Sequence, residues 1–131
     1  MKLHHIGYAV RDIRESVSQF ELFGFELYGE ITDDPQRNVK ICFMRNQDTL
    51  VELIAPLNQN SPVSKWLEKN GCSPYHFCYE SNNIKNDIRH FKENGAKEIS
   101  KPLAAPAIEG KLVAFLYLSS LGIVELVENN E

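Results

Sequence analysis

Apolar positions along the chain follow two periods, and the pair of periods occurs twice. Residues 3–10, LHHIGYAV, alternate and are rich in strand formers, which predicts a half-buried strand. Asp12 follows with Glu15 three residues on, the spacing of a helix capping box. Ile13, Val17, Phe20 and Phe23 then recur at helical spacing, and Gly24 supplies a C-terminal stop. Three strands are predicted next, at roughly 25–32, 38–45 and 49–55, separated by the turn-prone Asp33-Asp34-Pro35 and Asn46-Gln47-Asp48. Later in the chain Asn82 or Asn83 caps a helix carrying Ile84, Ile88 and Phe91, ended by Gly95, with strands near 97–100, 112–118 and 122–128. Between the two series, Ser61-Pro62 opens a short helix through Trp66 and Leu67 that stops at Gly71. Lys101 to Gly110, with Pro102 and Pro106, reads as the longest irregular stretch and is expected to form a lid or rim loop.

The two series align. His5 falls on His76, Tyr8 on Tyr79, Ile13 on Ile84, Phe20 on Phe91 and Gly24 on Gly95, all at an offset of 71. Val51-Glu52-Leu53-Ile54 falls on Val124-Glu125-Leu126-Val127 at an offset of 73, which implies two inserted residues in the second copy. The chain is therefore read as one supersecondary unit used twice. The predicted fold is α+β: two βαβββ modules forming a cupped, mostly antiparallel eight-stranded sheet with helices outside. A single domain is expected over 1–131, with module one at about 1–58, a linker helix at about 61–70 and module two at about 72–131.

Composition narrows the function. With 131 residues the chain has room for one domain with a real core. A net charge of −4 with scattered basic residues argues against nucleic acid or an anionic membrane as partner. The N-terminus lacks the pattern of a signal peptide, and no apolar run is long enough to span a bilayer. Three cysteines without C-x-x-C spacing fit a reducing, cytoplasmic setting.

Strand periodicity then places the chemistry. In the first strand Ile6, Tyr8 and Val10 share the face that packs under the helix, and His5, Gly7 and Ala9 share the other. Phe77 and Tyr79 likewise oppose His76, Cys78 and Glu80; Val51 and Leu53 oppose Glu52; Val124 and Leu126 oppose Glu125. A single strand histidine is usually a hydrogen-bonded structural residue, and the acid of an apolar strand usually faces solvent. Here both types recur at matching places in both copies, on the face away from the helices. Two imidazoles and two carboxylates suit one divalent ion of intermediate character: zinc, nickel, cobalt, manganese or iron. Four protein ligands on an octahedral ion leave two positions for water or substrate. His4 reads as structural and His90 as a surface residue. Cys78 reads as a small filler, Glu80 as a rim residue and Trp66 as a packing anchor.

LHHIGYAV, VELIAPL, PYHFCYE and GIVELVE, in a repeated βαβββ frame, resemble the vicinal oxygen chelate superfamily of glyoxalases, epimerases, extradiol dioxygenases and bleomycin-resistance proteins. The resemblance covers essentially the whole chain. It is closest to the methylmalonyl-CoA epimerase branch through VELIAPLNQNSPVSKWLEKNG and KLVAFLYLSSLGIVELVE. It implies His5, Glu52, His76 and Glu125 as metal ligands. It also implies a metal-dependent isomerase, epimerase or lyase that moves a proton alpha to a carbonyl through a chelated enediolate, with Glu125 transferring the proton. Lactoylglutathione lyase is the alternative enzyme, and a non-catalytic small-molecule (antibiotic) binding protein the alternative of another class. A small-molecule substrate, a CoA thioester or another carbonyl compound, and a homodimer are further implications. One position departs from the epimerase pattern: where that branch has an acid–base glutamate before the third strand, this chain has Gln36, and an amide does not exchange a proton as a carboxylate does. Glu30, Asp33 and Asp34 are the nearby carboxylates that could substitute. Neighbouring Arg37 is read either as a binder of a substrate carboxylate or phosphate or as a solvated loop residue.

Overall fold

The computed structural model describes residues 1–129. The chain divides into two compact units, one running from His5 to Tyr75, the other joining Met1–His4 to the residues from His76 onward.

In the first unit the order is β1 (Leu3–Ala9), α1 (Ile13–Glu21), β2 (Glu26–Leu27), β3 (Thr32–Asp34), β4 (Val39–Asn46), β5 (Thr49–Pro56) and α2 (Pro62–Asn70). β5 pairs in parallel with β1 and antiparallel with β4, and both β2 and β3 pair antiparallel with β4. The Asp12 side chain accepts from the Glu15 N–H at 3.2 Å, so the predicted cap forms. Val10, Ile13, Cys42, Met44, Val51, Leu53 and Ala55 are buried together, with Tyr8, Val17, Phe20 and Phe25 packed on them. These alternate along β4 and β5, so one face of the sheet is closed by α1 and the other carries Phe43, Glu52 and His5. The linker helix α2 belongs to this unit. Ser61 caps it, Val63 and Leu67 are buried, and Trp66 stacks edge-on against Tyr75 while its Nε1–H donates to Ser73 Oγ at 3.0 Å.

The second unit follows the same plan with β6 (Ser73–Ser81), α3 (Ile84–Glu93), β7 (Lys97–Ala105), a 3-10 turn (Pro106–Ile108), β8 (Lys111–Leu118) and β9 (Gly122–Glu128). β9 pairs in parallel with β6 and antiparallel with β8, and β7 lies antiparallel to β8. Asn83, rather than Asn82, caps α3 by accepting from the Asn86 N–H at 3.1 Å. Ile84, Ile88, Ala114, Leu116 and Leu126 form its core with Tyr79 and Phe91 packed against them. The two helices also end alike. Gly24 and Gly95 take φ of 94° and 98°, and the N–H of the next residue (Phe25, Ala96) returns to the carbonyl of Phe20 or Phe91 at 3.3 and 3.0 Å.

Three sequence expectations change. Nine strands are present among the described residues rather than eight, because the strand expected at 25–32 breaks at Gly29 (φ 91°) into β2 and β3. The stretch from Lys101 to Gly110 is not an irregular lid: β7 continues to Ala105 before the 3-10 turn. Its prolines are accommodated because β8 is the neighbour β7 pairs with, and the register slips between Ser100 and Leu103, at Pro102, where a missing N–H breaks no ladder bond. Phe77, expected beneath the helix, is 44% exposed. Among the described residues no helix is long and apolar enough to cross a membrane.

Candidate metal centre

Register builds one His–Glu pair in each unit. Where β1 runs parallel to β5, Gly7 stands opposite Glu52. His5 lies two residues before Gly7, hence on the same face as Glu52, and reaches it diagonally. Its Nε2 is 3.4 Å from Glu52 Oε1. In the second unit Cys78 stands opposite Glu125 where β6 runs parallel to β9, and His76 lies two residues before Cys78. Its Nε2 is 3.1 Å from Glu125 Oε1. The repeat seen in the sequence is therefore a repeat of geometry.

All four residues are buried: His5 1%, Glu52 4%, His76 3% and Glu125 3% exposed. A carboxylate withdrawn from water this far, unless it takes a proton, must be charge-compensated. A protonated imidazole does so at the cost of burying two ions; a divalent cation does so with neutral imidazoles. The spacing permits the second. Ligand atoms about 2.1 Å from an ion lie about 3.0 Å apart at right angles and about 3.4 Å apart at the tetrahedral angle. The two pairs, at 3.4 and 3.1 Å, fall in that range. The donor set, imidazole nitrogen with carboxylate oxygen, suits a zinc-, nickel-, cobalt-, manganese- or iron-like ion.

A third member of each half was not identified from the sequence. Phe43 stands opposite Glu52 across the β4–β5 hairpin, and Phe115 opposite Glu125 across β8–β9. Each meets its histidine edge to face, at 5.3 Å and 83° for His5–Phe43 and 5.4 Å and 89° for His76–Phe115. Their offset of 72 hid them, falling between the 71 of the histidines and the 73 of the glutamates. The hairpins explain part of this, since the β4–β5 turn holds Gln47 and Asp48 whereas the β8–β9 turn holds Ser119, Ser120 and Leu121.

The remaining candidates lie elsewhere. Gln36 and Arg37 occupy the turn between β3 and β4, with Gln36 exposed. Arg37 is no solvated loop residue. Its Nη1 lies 2.9 Å from Oδ2 of Asp34, and its backbone N–H donates to Oδ1 at 3.2 Å. Asp34 is 1% exposed and so anchors the turn from inside. Of the carboxylates that could substitute at Gln36, Asp34 is engaged by Arg37, Asp33 is held by Lys40 Nζ at 2.8 Å, and Glu30 is exposed. Glu80 pairs with Lys2 at 3.9 Å, and His90 is exposed on α3. Cys78 is fully buried beside His76 on its strand, and Cys42 lies in the core under α1, where burial pushes its thiol pKa up. Burial likewise raises the Tyr75 phenol.

The family model described as the glyoxalase/bleomycin resistance protein/dioxygenase superfamily matches residues 4–115. The chain belongs to this superfamily. The match takes in His5, Glu52 and His76 and ends before Glu125. Among its relatives is an ethylmalonyl-CoA/methylmalonyl-CoA epimerase of Cereibacter sphaeroides, 32% identical over 118 residues, spanning 88% of this chain and 87% of that one. A hypothetical protein of Bacillus halodurans superposes with a TM-score of 0.88 at 31% identity, covering 99% and 95% of the two chains. A variant of the Streptomyces coelicolor methylmalonyl-CoA epimerase, in complex with 2-nitronate-propionyl-CoA, superposes with a TM-score of 0.86 at 22% identity, covering 99% and 95%. That last likeness speaks for the fold alone. The superfamily and the epimerase-like relatives expected from the motifs are thus both found, as is the α+β fold.

Proposed function

We propose that the two His–Glu pairs bind one divalent ion and that the protein is an isomerase of the epimerase type, acting on the proton alpha to the carbonyl of a CoA thioester. The observation that carries this reading is the recurrence of the same buried pair at the same register in both copies of the repeat, in a chain related to a methylmalonyl-CoA epimerase. Each pair alone supplies two ligands, and catalytic divalent sites use three or four from the protein. Two halves make one complete set.

Bound there, the ion would supply Lewis-acid stabilisation of negative charge developing on the substrate's carbonyl oxygen. The rest belongs to the chain. His5 and His76 donate as neutral imidazoles, and Glu52 and Glu125 balance the double positive charge. Glu125 takes the alpha proton, a role that family resemblance implies and that a buried carboxylate held beside an imidazole can perform. Gln36 and Arg37 meet the polar part of the substrate, with Arg37 presented by Asp34. The working form is a homodimer in the cytoplasm.

Because Gln36 supplies no second base, a proton returned by Glu125 restores the starting epimer, and inversion takes place only when water delivers the proton to the opposite face. The alpha proton of methylmalonyl-CoA is therefore expected to exchange with deuterium oxide faster than the centre inverts. NMR for exchange and chiral analysis for inversion check this in one incubation, with a chelator-treated control. Inversion as fast as exchange would restore a two-base mechanism. Exchange absent from methylmalonyl-CoA but present with the glutathione hemithioacetal of methylglyoxal would move the protein to the lyases. Binding without exchange in either would leave a sequestering protein.

A further inference from the structure

We infer that Phe43 and Phe115 are positioning residues that set the ring planes of the two histidines for metal binding; this rests on the metal reading above. The bond from an imidazole to its chain rotates in a broad well, so strand placement alone does not orient the nitrogen that must meet an ion. A perpendicular aromatic neighbour narrows that well, because edge-to-face contact is favoured and is lost when either ring turns.

Both histidines have such a neighbour. The two contacts differ by only 0.1 Å in centroid distance and 6° in interplanar angle. Each phenylalanine also stands opposite the glutamate of its own pair, so one side chain borders both donors of a half-site. Packing alone does not demand this likeness. Phe43 is 8% exposed and buried whereas Phe115 is only half-buried, yet the ring geometry is the same. A feature kept while its surroundings diverge is better explained by what the two contacts share, which is the imidazole.

The test uses the full chain, stripped of metal and titrated with Co2+ by competition against a chromophoric chelator, with the visible spectrum of the bound cobalt as second readout. F43L and F115L are expected to weaken Co2+ binding by about threefold to tenfold each, on the scale of an aromatic pair. F115Y, which keeps the ring, is expected to bind as wild type. The cobalt band should shift in both leucine variants and not in F115Y. Loss of Phe43 also costs core packing, so chelated melting temperatures are taken for every variant, and Phe115 provides the discriminating comparison. F115L with wild-type affinity and spectrum overturns the inference, as does F115Y failing as badly as F115L. Wild-type protein that takes up no Co2+ at all overturns the metal reading and this inference with it.

Discussion

Glu125→Gln is expected to lower alpha-proton exchange by about 10²–10⁴-fold, the usual contribution of a positioned general base, while the ion stays bound. The amide keeps an oxygen that can ligate and nearly the same volume, so it fills the place beside His76 without leaving a cavity. What it loses is the ability to hold a proton. Glu52→Gln makes the same chemical change in the other half of the repeat and is expected to cost far less, since the role proposed for Glu52 is to ligate and not to carry the proton. The contrast matters because the two glutamates are close to equivalent in burial, 4% and 3% exposed, and in register. Parallel measurement of deuterium incorporation and metal content in the two variants decides the point. If Glu52→Gln is the crippled protein and Glu125→Gln the active one, the two roles are exchanged. Equal losses in both would mean that neither acts alone.

Chelation is expected to destabilise the folded protein strongly. A ligand that binds only the native state adds about 2.7 kcal/mol at a free concentration of one hundred times its Kd. For a chain of this size that is about 10 °C in melting temperature. The buried carboxylates give the effect its sign. With the ion gone, Glu52 and Glu125 must be neutralised by protonating His5 and His76 or by taking protons themselves, and either leaves the native state less favoured. Thermal melts with and without chelator, repeated after adding back Zn2+ or Co2+, measure this. The double variant His76→Ala/Glu125→Ala, left with two ligands, is expected to melt at one temperature whether or not metal is present. A wild-type protein indifferent to chelator would show that the imidazoles alone compensate the carboxylates.

Much of this was legible in the sequence, for reasons that can be stated residue by residue. His5 and Glu52 announced themselves because strand alternation puts both opposite the helix face, and because His76 and Glu125 repeat the pattern; strand register then made each pair. Asp12 marked its helix start because a cap is a local interaction, satisfied within three residues. Non-local effects were harder to read. The break at Gly29 depends on how Thr32–Asp34 finds β4, and the extension of β7 past Pro102 depends on a bulge that only pairing with β8 creates. Phe43 and Phe115 looked like ordinary core residues, and nothing in one-dimensional periodicity distinguishes an aromatic that packs on aliphatics from one that meets a histidine edge-on. Arg37 read as a loop residue with two open fates because its partner Asp34, three residues back, is buried by the fold rather than by its neighbours in sequence.

Metal stoichiometry across three proteins puts the shared-ion reading at risk. Wild type, the double variant His5→Ala/Glu52→Ala and the double variant His76→Ala/Glu125→Ala are each saturated with Zn2+, freed of excess and analysed for bound metal per chain. Two half-sites serving one ion predict one ion per wild-type chain and loss of tight binding in both variants, since either pair of substitutions breaks a set that neither half completes. Two ions per wild-type chain, or one retained by either variant, would mean that each His–Glu pair works by itself and that the four residues do not form one centre.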